Sequence, residues 1–165
     1  MKPSKKLLEQ IKGVLNTFEI TSSQGGVLKP TGEYLEYSWG DESPVVWNGF
    51  MSALVGLHDC YLHGPKETKK QAKKLYEKGM QKLVERQEEL FLKTWLLEWI
   101  RYDDNKLYFA DGPYMKIETR QLNYLSKNEP KLKKSLKKII QINKENKNKK
   151  NVYEYYYFIK KRMMK

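Results

Sequence analysis

Apolar residues spaced three and four positions apart predict that this chain consists mainly of amphipathic helices. Ser4 is expected to cap a first helix that ends near Thr17. A second, more apolar helix is expected to begin at Asn48, as its N-cap, and to end at a His-Gly-Pro sequence at 63–65. Further helices are predicted over 67–90, 119–125, 130–142 and 152–164. Helix pairs separated by short breaks are typical of helical hairpins packed side by side, so the predicted fold class is mainly α.

A short β-hairpin is predicted between the first two helices, on either side of a Pro-Thr-Gly turn. Strand alternation would place Tyr34 and Glu36 on one face and Leu35 and Tyr37 on the other. Glu36 and Tyr37 can therefore reach the same pocket only from a bulge or from the end of the strand. The two predicted strands span 26–29 and 33–38.

Glycine and turn residues mark further places where the chain is expected to bend or to pack closely. An Asp-Asp-Asn sequence at 103–105 predicts the turn of a second hairpin within 91–109, and a Gly-Pro pair at 112–113 predicts a break in the chain. Gly49 and Gly56 lie inside the second helix, where glycine costs up to about 1 kcal/mol relative to alanine. Both glycines therefore predict close approach by another backbone or a ligand.

Length and composition indicate one globular domain, or part of a larger one. Its 165 residues are 39% apolar, enough for a core. No segment approaches the roughly 18–20 apolar residues of a membrane span, and the N-terminus lacks the apolar region of a signal peptide, so a cytoplasmic location is the default expectation. The single Cys60 excludes an intramolecular disulfide and predicts a buried thiol. His58 and His63 do not share a helical face, so no metal or other cofactor is expected.

The basic charge is concentrated at the C-terminal end. From Lys127 onward there are 14 Lys or Arg residues and 3 Asp or Glu residues, so +11 of the net charge of +12 lies there. Such a segment favours polyanionic partners, namely nucleic acid, an acidic polysaccharide or an anionic membrane surface, although a solvated Lys-rich surface gives the same pattern. We therefore divide the chain into an α/α domain over 1–142 and a Lys/Tyr-rich C-terminal helix over 143–165.

The chain lacks a nucleophile elbow, a phosphate-binding loop and a dinucleotide-binding fingerprint. The remaining candidates for chemistry are tyrosines, carboxylates and an arginine beside predicted loops. A tyrosine side chain, with an ordinary pKa of about 10, can remove or return a carbon-bound proton where nearby positive charge stabilises the phenolate. The same aromatic residues are also common in cores and on sugar-stacking surfaces. The candidates are Glu36, Tyr37, Glu98, Arg101, Tyr102 and Tyr114.

Three groups of residues carry a family resemblance. The first is the Glu36-Tyr37 pair followed by the WNGFMSALVGLHD sequence at 47–59. The second is the AKKLYEKGM sequence at 72–80, and the third is Tyr114 with a Gln-Leu pair seven residues later. Together they resemble the C-terminal domain of the D-glucuronyl C5-epimerases, enzymes of heparosan and heparan sulfate maturation. The resemblance covers roughly 25–138.

This resemblance implies a fold and a reaction. The fold would be a partial (α/α) toroid of antiparallel helix pairs with short β-hairpins, containing a cleft for an acidic polysaccharide. The reaction would remove the C5 proton of a glucuronate unit and return a proton to the opposite face, giving iduronate. A homo-oligomer or a partner chain would complete the toroid, because the resemblance is to the C-terminal part of the family's enzymes alone.

The resemblance also implies roles for individual residues. Tyr37 and Tyr114 would be the two acid/base groups, and Glu36 would support or share the role of the base. Arg101 would neutralise the substrate carboxylate, and Asn48 and Tyr102 are further candidates for substrate binding. Glu98 stands where the family has a tyrosine. It is therefore a candidate carboxylate base, with Tyr102 as an alternative for that position.

Two other functions remain open at this point. One is a non-catalytic module, or a degenerate epimerase fragment, that binds an acidic glycan through the aromatic cleft and the basic end. The other is nucleic-acid binding through the Lys-rich helices, which predicts steep salt dependence without sugar selectivity. The Lys-rich end lacks the interleaved arginine and aromatic residues common in base-reading modules, which disfavours the second function.

Overall fold

The computed structural model describes residues 4–93, 98–105, 109–110 and 112–146. Within these ranges the chain is mainly helical, as predicted, with one short two-stranded sheet. Single 3₁₀ turns also occur at Ser22–Gln24, Gln87–Leu90 and Pro130–Leu132. The helices and strands are α1 (Lys5–Thr17), α2 (Trp47–His63), α3 (Lys66–Arg86), β1 (Phe91–Lys93), β2 (Glu98–Ile100), α4 (Gly112–Leu125) and α5 (Lys133–Asn146).

The first three helices lie close to their predicted positions. Ser4 caps α1 as predicted, and its hydroxyl oxygen accepts a 3.2 Å hydrogen bond from the Leu7 backbone N–H. Asn48 is not the cap of α2, because an antiparallel bridge to Asp103 holds Val46 in an extended conformation and makes Val46 the N-cap. The Gly-Pro pair at 64–65 separates α2 from α3, and the two helices pack together as a helical hairpin.

Close packing between α2 and α3 depends on a glycine. A Cβ atom at Gly79 would lie 2.5 Å from Leu54 Cδ2 and 2.7 Å from Tyr34 Cε2, so a larger residue would push the helices apart. Gly56 differs, because a Cβ atom there would have no described protein atom within 4 Å. The close approach by backbone that the sequence predicts at Gly56 is therefore absent from the described part of the chain.

The fourth helix starts earlier than predicted. The Gly-Pro pair at 112–113, which predicts a break, instead forms the first turn of α4, because proline lacks only an N–H that has no helical partner at that position. Tyr114 therefore lies in the first turn of α4. The fifth helix follows Pro130 as predicted and continues to Asn146, past the predicted break at 143. The predicted last helix over 152–164 lies outside the described residues.

The predicted β structure is shorter than expected. The first hairpin consists of isolated bridges, in which Leu28 pairs with both Thr21 and Tyr34. In the second, β1 pairs with β2 in antiparallel register, with Phe91 opposite Ile100, so this ladder lies earlier in the chain than predicted. A further bridge between Arg101 and Phe109 does flank the predicted turn at 103–105.

The core is centred on α2, which packs against α3 and α4, while α5 covers α4. Four side chains of α2 are fully buried, namely Trp47, Phe50, Met51 and Leu54. Cys60 is only half-buried, so its thiol is more exposed than predicted. Because α2 forms the centre of the core, its first turn is a fixed platform for neighbouring loops.

Candidate active site

Tyr34 fixes the segment that carries the first two candidate catalytic residues. Its side chain is buried, and its hydroxyl donates a 2.8 Å hydrogen bond to the Leu75 carbonyl oxygen on α3. Burial raises the pKa of Tyr34 to about 12, so this tyrosine is neutral and structural. Tyr34 and Leu35 are both buried, whereas Glu36 and Tyr37 are both exposed. The alternation of a regular strand is therefore lost, and Glu36 and Tyr37 both lie on the protein surface.

Gly49 lets Glu36 lie directly against the first turn of α2. A Cβ atom at Gly49 would be 2.6 Å from Glu36 Cβ and 3.0 Å from Glu36 Cδ, closer than such atoms approach in proteins. The close approach that the sequence predicts at Gly49 is thus made by a side chain of the preceding loop. The fit places the Glu36 carboxyl group beside the start of the helix.

Three tyrosines from three segments meet near Glu36. Tyr102, which follows β2, packs edge-to-face against Tyr114 of α4, with ring centroids 4.9 Å apart. The Tyr102 hydroxyl is also hydrogen-bonded to Tyr37, which lies just before α2. Glu36, Tyr37, Tyr102 and Tyr114, which we call the tyrosine cluster, therefore form a single surface group although they are separated by up to 78 positions in the sequence.

Tyr102 is held in its protonated form. Burial raises the pKa of Tyr102 well above its ordinary value, and the hydrogen bond to Tyr37 raises it further. The electrostatic influence of Glu36 and Tyr114 acts in the same direction. Tyr102 is therefore a hydrogen-bond donor within the cluster and is unsuited to act as a phenolate base.

Unpaired polar atoms lie on the segments that carry the cluster. Among the described residues, no partner is present for the buried Arg101 Nε, Asn48 Oδ1 or Gln121 Oε1 atoms. Gln121 Nε2 donates to the Asn48 carbonyl oxygen at 2.9 Å and to Ser52 Oγ at 2.7 Å, which joins α4 to α2. Buried donors and acceptors are usually paired, so three unpaired atoms on the segments that carry the cluster are an unusual feature of this region.

A comparison with known protein families identifies the family of this chain. The family described as D-glucuronyl C5-epimerase C-terminus matches residues 3–145, most of the chain. The chain belongs to this family. The resemblance found in the sequence is thereby confirmed at the level of the family. No curated protein matches the chain significantly.

In this epimerase-family domain, an ion-pair network fixes the loops that carry the cluster. Arg86, at the end of α3, bonds Glu33 at 2.5 Å and Asp104 at 3.3 Å. Asp104 in turn accepts a 2.8 Å hydrogen bond from the Val45 backbone N–H. Burial alone would raise the pKa of Glu33, but hydrogen bonds from Thr31 and Arg86 lower it overall, so Glu33 is a buried, paired carboxylate. The network therefore holds the segments around Tyr37 and Tyr102 in a fixed relation.

Glu98, predicted as a candidate base, is paired with a lysine. Its carboxylate forms a 2.8 Å ion pair with Lys138 of α5. Lys138 also lies over the Phe91 ring, with Nζ 4.1 Å from the ring centroid. The ion pair of Glu98 therefore joins the sheet to α5. The role of Glu98 as a base remains a prediction, and the described contacts place Tyr102 rather than Glu98 in the tyrosine cluster.

Two residues in this region were not predicted as functional. Trp39 is 79% exposed and stacks on Tyr37, with ring centroids 5.2 Å apart and an interplanar angle of 19°. Its position two residues after the Glu-Tyr pair is visible in the sequence, but its exposure is not. Gln121 belongs to the motif that carries the resemblance, and only the structure reveals its contact with Asn48.

α4 also contains a carboxyl group that lacks a partner. Glu118 is fully buried one helical turn after Tyr114, and among the described residues neither of its oxygens has a hydrogen-bond partner. Burial raises the pKa of Glu118 well above its ordinary value, because a charge is costly in an apolar environment. Glu118 is therefore stabilised as a neutral acid beneath the site.

The described ranges contain neither a cluster of metal ligands nor a membrane-spanning helix. No group of three or more His, Cys, Asp or Glu side chains there is placed to hold a metal ion. No helix there is long and apolar enough to span a membrane. The expectation that the protein uses no cofactor remains a prediction.

Proposed function

We propose that this domain acts on glucuronate units of an acidic polysaccharide of the heparosan type and inverts their C5 centre. The observation that carries the proposal is the tyrosine cluster, in which Glu36, Tyr37, Tyr102 and Tyr114 meet on one surface of an epimerase-family domain. Tyr37 is 39% exposed and therefore accessible to a polymeric substrate. Inverting C5 by proton transfer requires a base on one face of the sugar and an acid on the other.

The proposed first half-reaction uses Tyr37 and Glu36. Glu36 accepts the phenolic proton of Tyr37 as the Tyr37 oxygen takes the proton from C5, and the electron pair of the broken C–H bond passes into the substrate carboxylate. Tyr102, held protonated, donates a hydrogen bond that stabilises negative charge on the Tyr37 oxygen. The product of this step is an enolate-like intermediate.

The proposed second half-reaction uses Tyr114 and Arg101. Tyr114 donates its phenolic proton to the opposite face of C5, which converts glucuronate to iduronate, and solvent later restores the starting protonation states. The guanidinium group of Arg101, a half-buried residue next to Tyr102 in the sequence, offers a positive charge for the substrate carboxylate, on which charge accumulates in the intermediate. Asn48 is the second polar group assigned to substrate binding.

One observation favours the alternative of a non-catalytic glycan-binding module. Glu98, which stands where the family has a tyrosine, is paired with Lys138, so the cluster holds one fewer of the family's residues. A binding module would keep affinity for heparosan without forming iduronate. Nucleic-acid binding through the basic end stays a weaker prediction, because that end lacks the interleaved arginine and aromatic residues common in base-reading modules.

Product formation tests the proposal. We expect the full chain to form iduronate from heparosan, detected by its proton NMR signals, and Tyr37→Phe and Tyr114→Phe to abolish it while binding is retained. Loss of a single acid/base group typically costs about 10²- to 10⁴-fold in rate. Retained binding without iduronate in the unmodified chain would support the module instead.

We also propose that the helix pairs belong to an (α/α) toroid that a second copy or a partner chain completes. An apolar groove of about 510 Å³ between α1 and α2 supports this proposal. Val14 lines this groove and is 60% exposed, so covering the groove would bury a large apolar side chain. Light scattering over a range of concentrations tests self-association, and a monomer throughout would argue against a homo-oligomer.

A further inference from the structure

Trp39 is the most exposed large apolar side chain among the described residues. Its indole is 79% exposed and stacks on Tyr37, which is itself 39% exposed. The two rings are nearly parallel, at 19°, so one face of the indole packs on Tyr37, and the highly exposed indole leaves its other face open to solvent beside the tyrosine cluster. Large aromatic side chains are normally buried, so an exposed pair of this kind indicates a surface for binding.

The loop that carries Trp39 is fixed at several points. The Trp39 backbone N–H donates a 3.0 Å hydrogen bond to the hydroxyl of Ser43, a buried residue. Buried Ser22 accepts a 3.1 Å hydrogen bond from the Gly40 N–H, and its hydroxyl lies 2.8 Å from that of Ser38. Gly40 has a φ of 134°, a conformation that favours glycine. The backbone beneath the indole is therefore organised before a ligand binds, which lowers the entropic cost of binding.

The charges around this loop disfavour an anionic ligand on the indole. Glu36, Asp41 and Glu42 lie within three positions of Trp39, and the sequence from 36 to 42 contains no basic residue. Lys29 does donate to the Ser43 carbonyl oxygen at 2.9 Å, but its charge is paired with Asp104 at 3.7 Å. Asp41 is held in place by a 3.0 Å hydrogen bond from the Ser23 N–H. A uronate carboxylate would be repelled here, whereas the apolar C–H face of a neutral sugar would not.

We propose that Trp39 is a stacking platform for a neutral sugar ring adjacent to the uronate at Tyr37. The inference rests on the proposed function. In a polymer that alternates uronate with neutral hexosamine units, a uronate held by Tyr37 and Arg101 has a neutral neighbour on either side. Trp39 would then select the register of the chain, since shifting the polymer by one unit would place a uronate on the acidic loop.

Saturation-transfer NMR with a heparosan octasaccharide tests this inference, because it reports which sugar protons contact the protein. We expect the N-acetylhexosamine protons to lose transfer in Trp39→Ala and to keep most of it in Trp39→Phe, while the uronate H5 signal persists in both. The affinity of Trp39→Ala should fall roughly 2- to 12-fold, the range expected for one aromatic stacking contact. Leu62→Ala removes another exposed apolar side chain, at the far end of α2, and should change neither signal.

The outcomes separate this inference from the proposed function. If the unmodified chain binds the octasaccharide and Trp39→Ala gives the same pattern and affinity, the stacking platform is wrong and the proposed function stands. If Trp39→Ala removes the uronate signals instead, the assignment to a neutral sugar is wrong. If the unmodified chain shows no transfer to any sugar proton, the proposed function fails and this inference fails with it.

Discussion

The protonation states of several side chains in this protein depend on how deeply they are buried and on which partners they have. Tyr102 remains protonated because it is partly desolvated and hydrogen-bonded to Tyr37, which makes it a donor in the tyrosine cluster. Glu33 remains ionised, although buried, because Arg86 and Thr31 compensate its charge. Glu118 lacks such compensation among the described residues. These three cases show that the partner of a buried group, more than its residue type, decides the chemistry available to it.

Glu118→Gln should stabilise the protein at neutral pH. The pKa of this carboxyl is raised in the folded state, so folded protein binds the proton more tightly, and stability falls as pH rises from about 4.3 through the folded pKa. Glutamine is neutral at every pH and escapes this loss. We expect a gain of about 1–3 kcal/mol in the free energy of unfolding at pH 7, measured by urea denaturation, and a much smaller gain at pH 4.

A matched control for this prediction is Glu77→Gln on the exposed face of α3. Among the described residues, the ion pair of Glu77 is a surface pair with Lys73, at 3.8 Å, and its substitution should change the free energy of unfolding by less than about 0.5 kcal/mol. A Glu118→Gln variant that is less stable at pH 7 would mean that Glu118 is charged and paired in the folded protein. A gain that does not vary with pH would mean that folding does not raise the pKa of this carboxyl.

Secondary-structure elements differ in how far the sequence predicts them. The helical periodicity of α1, α2 and α3 predicts their positions to within a few residues, because each buries a continuous apolar stripe. The start of α4 is missed, because a Gly-Pro pair is compatible with both a break and a first helical turn. The strand predicted over 33–38 fails because Tyr34 and Leu35 are both drawn into the core.

The contact between α2 and the loop before it gives a paired prediction. In Gly49→Ala the new methyl group would meet Glu36 Cβ, an atom that moves only with its backbone, so Glu36 and Tyr37 should be displaced. We expect iduronate formation to fall roughly 10- to 100-fold, since a shift of about 1 Å has this effect on positioned groups. The rate of iduronate formation measures the loss of activity, and thermal denaturation measures any change in stability.

Gly56→Ala is the control on the same helix. A Cβ atom there has no described protein atom within 4 Å, so alanine should raise stability by about 0.4–1 kcal/mol without changing the rate. If Gly49→Ala retained the full rate, Glu36 would not need its position against α2. If both variants lost activity equally, the effect would belong to α2 as a whole and not to this contact.

On the scale of the whole molecule, the site could be predicted only in part. Glu36, Tyr37 and Tyr114 were found from motifs whose spacing along the chain carries the resemblance. Their convergence with Tyr102 depends on packing between α2, α4 and the end of β2, which one sequence does not encode in any local pattern. The exposure of Trp39 and the pairing of Glu98 with Lys138 are likewise tertiary facts.

The central claim is that the tyrosine cluster exchanges the C5 proton of a glucuronate unit. The most direct test is to incubate the full chain with heparosan in deuterated water and to follow the C5 proton by NMR, because exchange is visible even where little iduronate accumulates. The account predicts loss of the C5 proton signal with the unmodified chain and no loss with Tyr37→Phe. An unchanged signal at high protein concentration, with heparosan demonstrably bound, would contradict it.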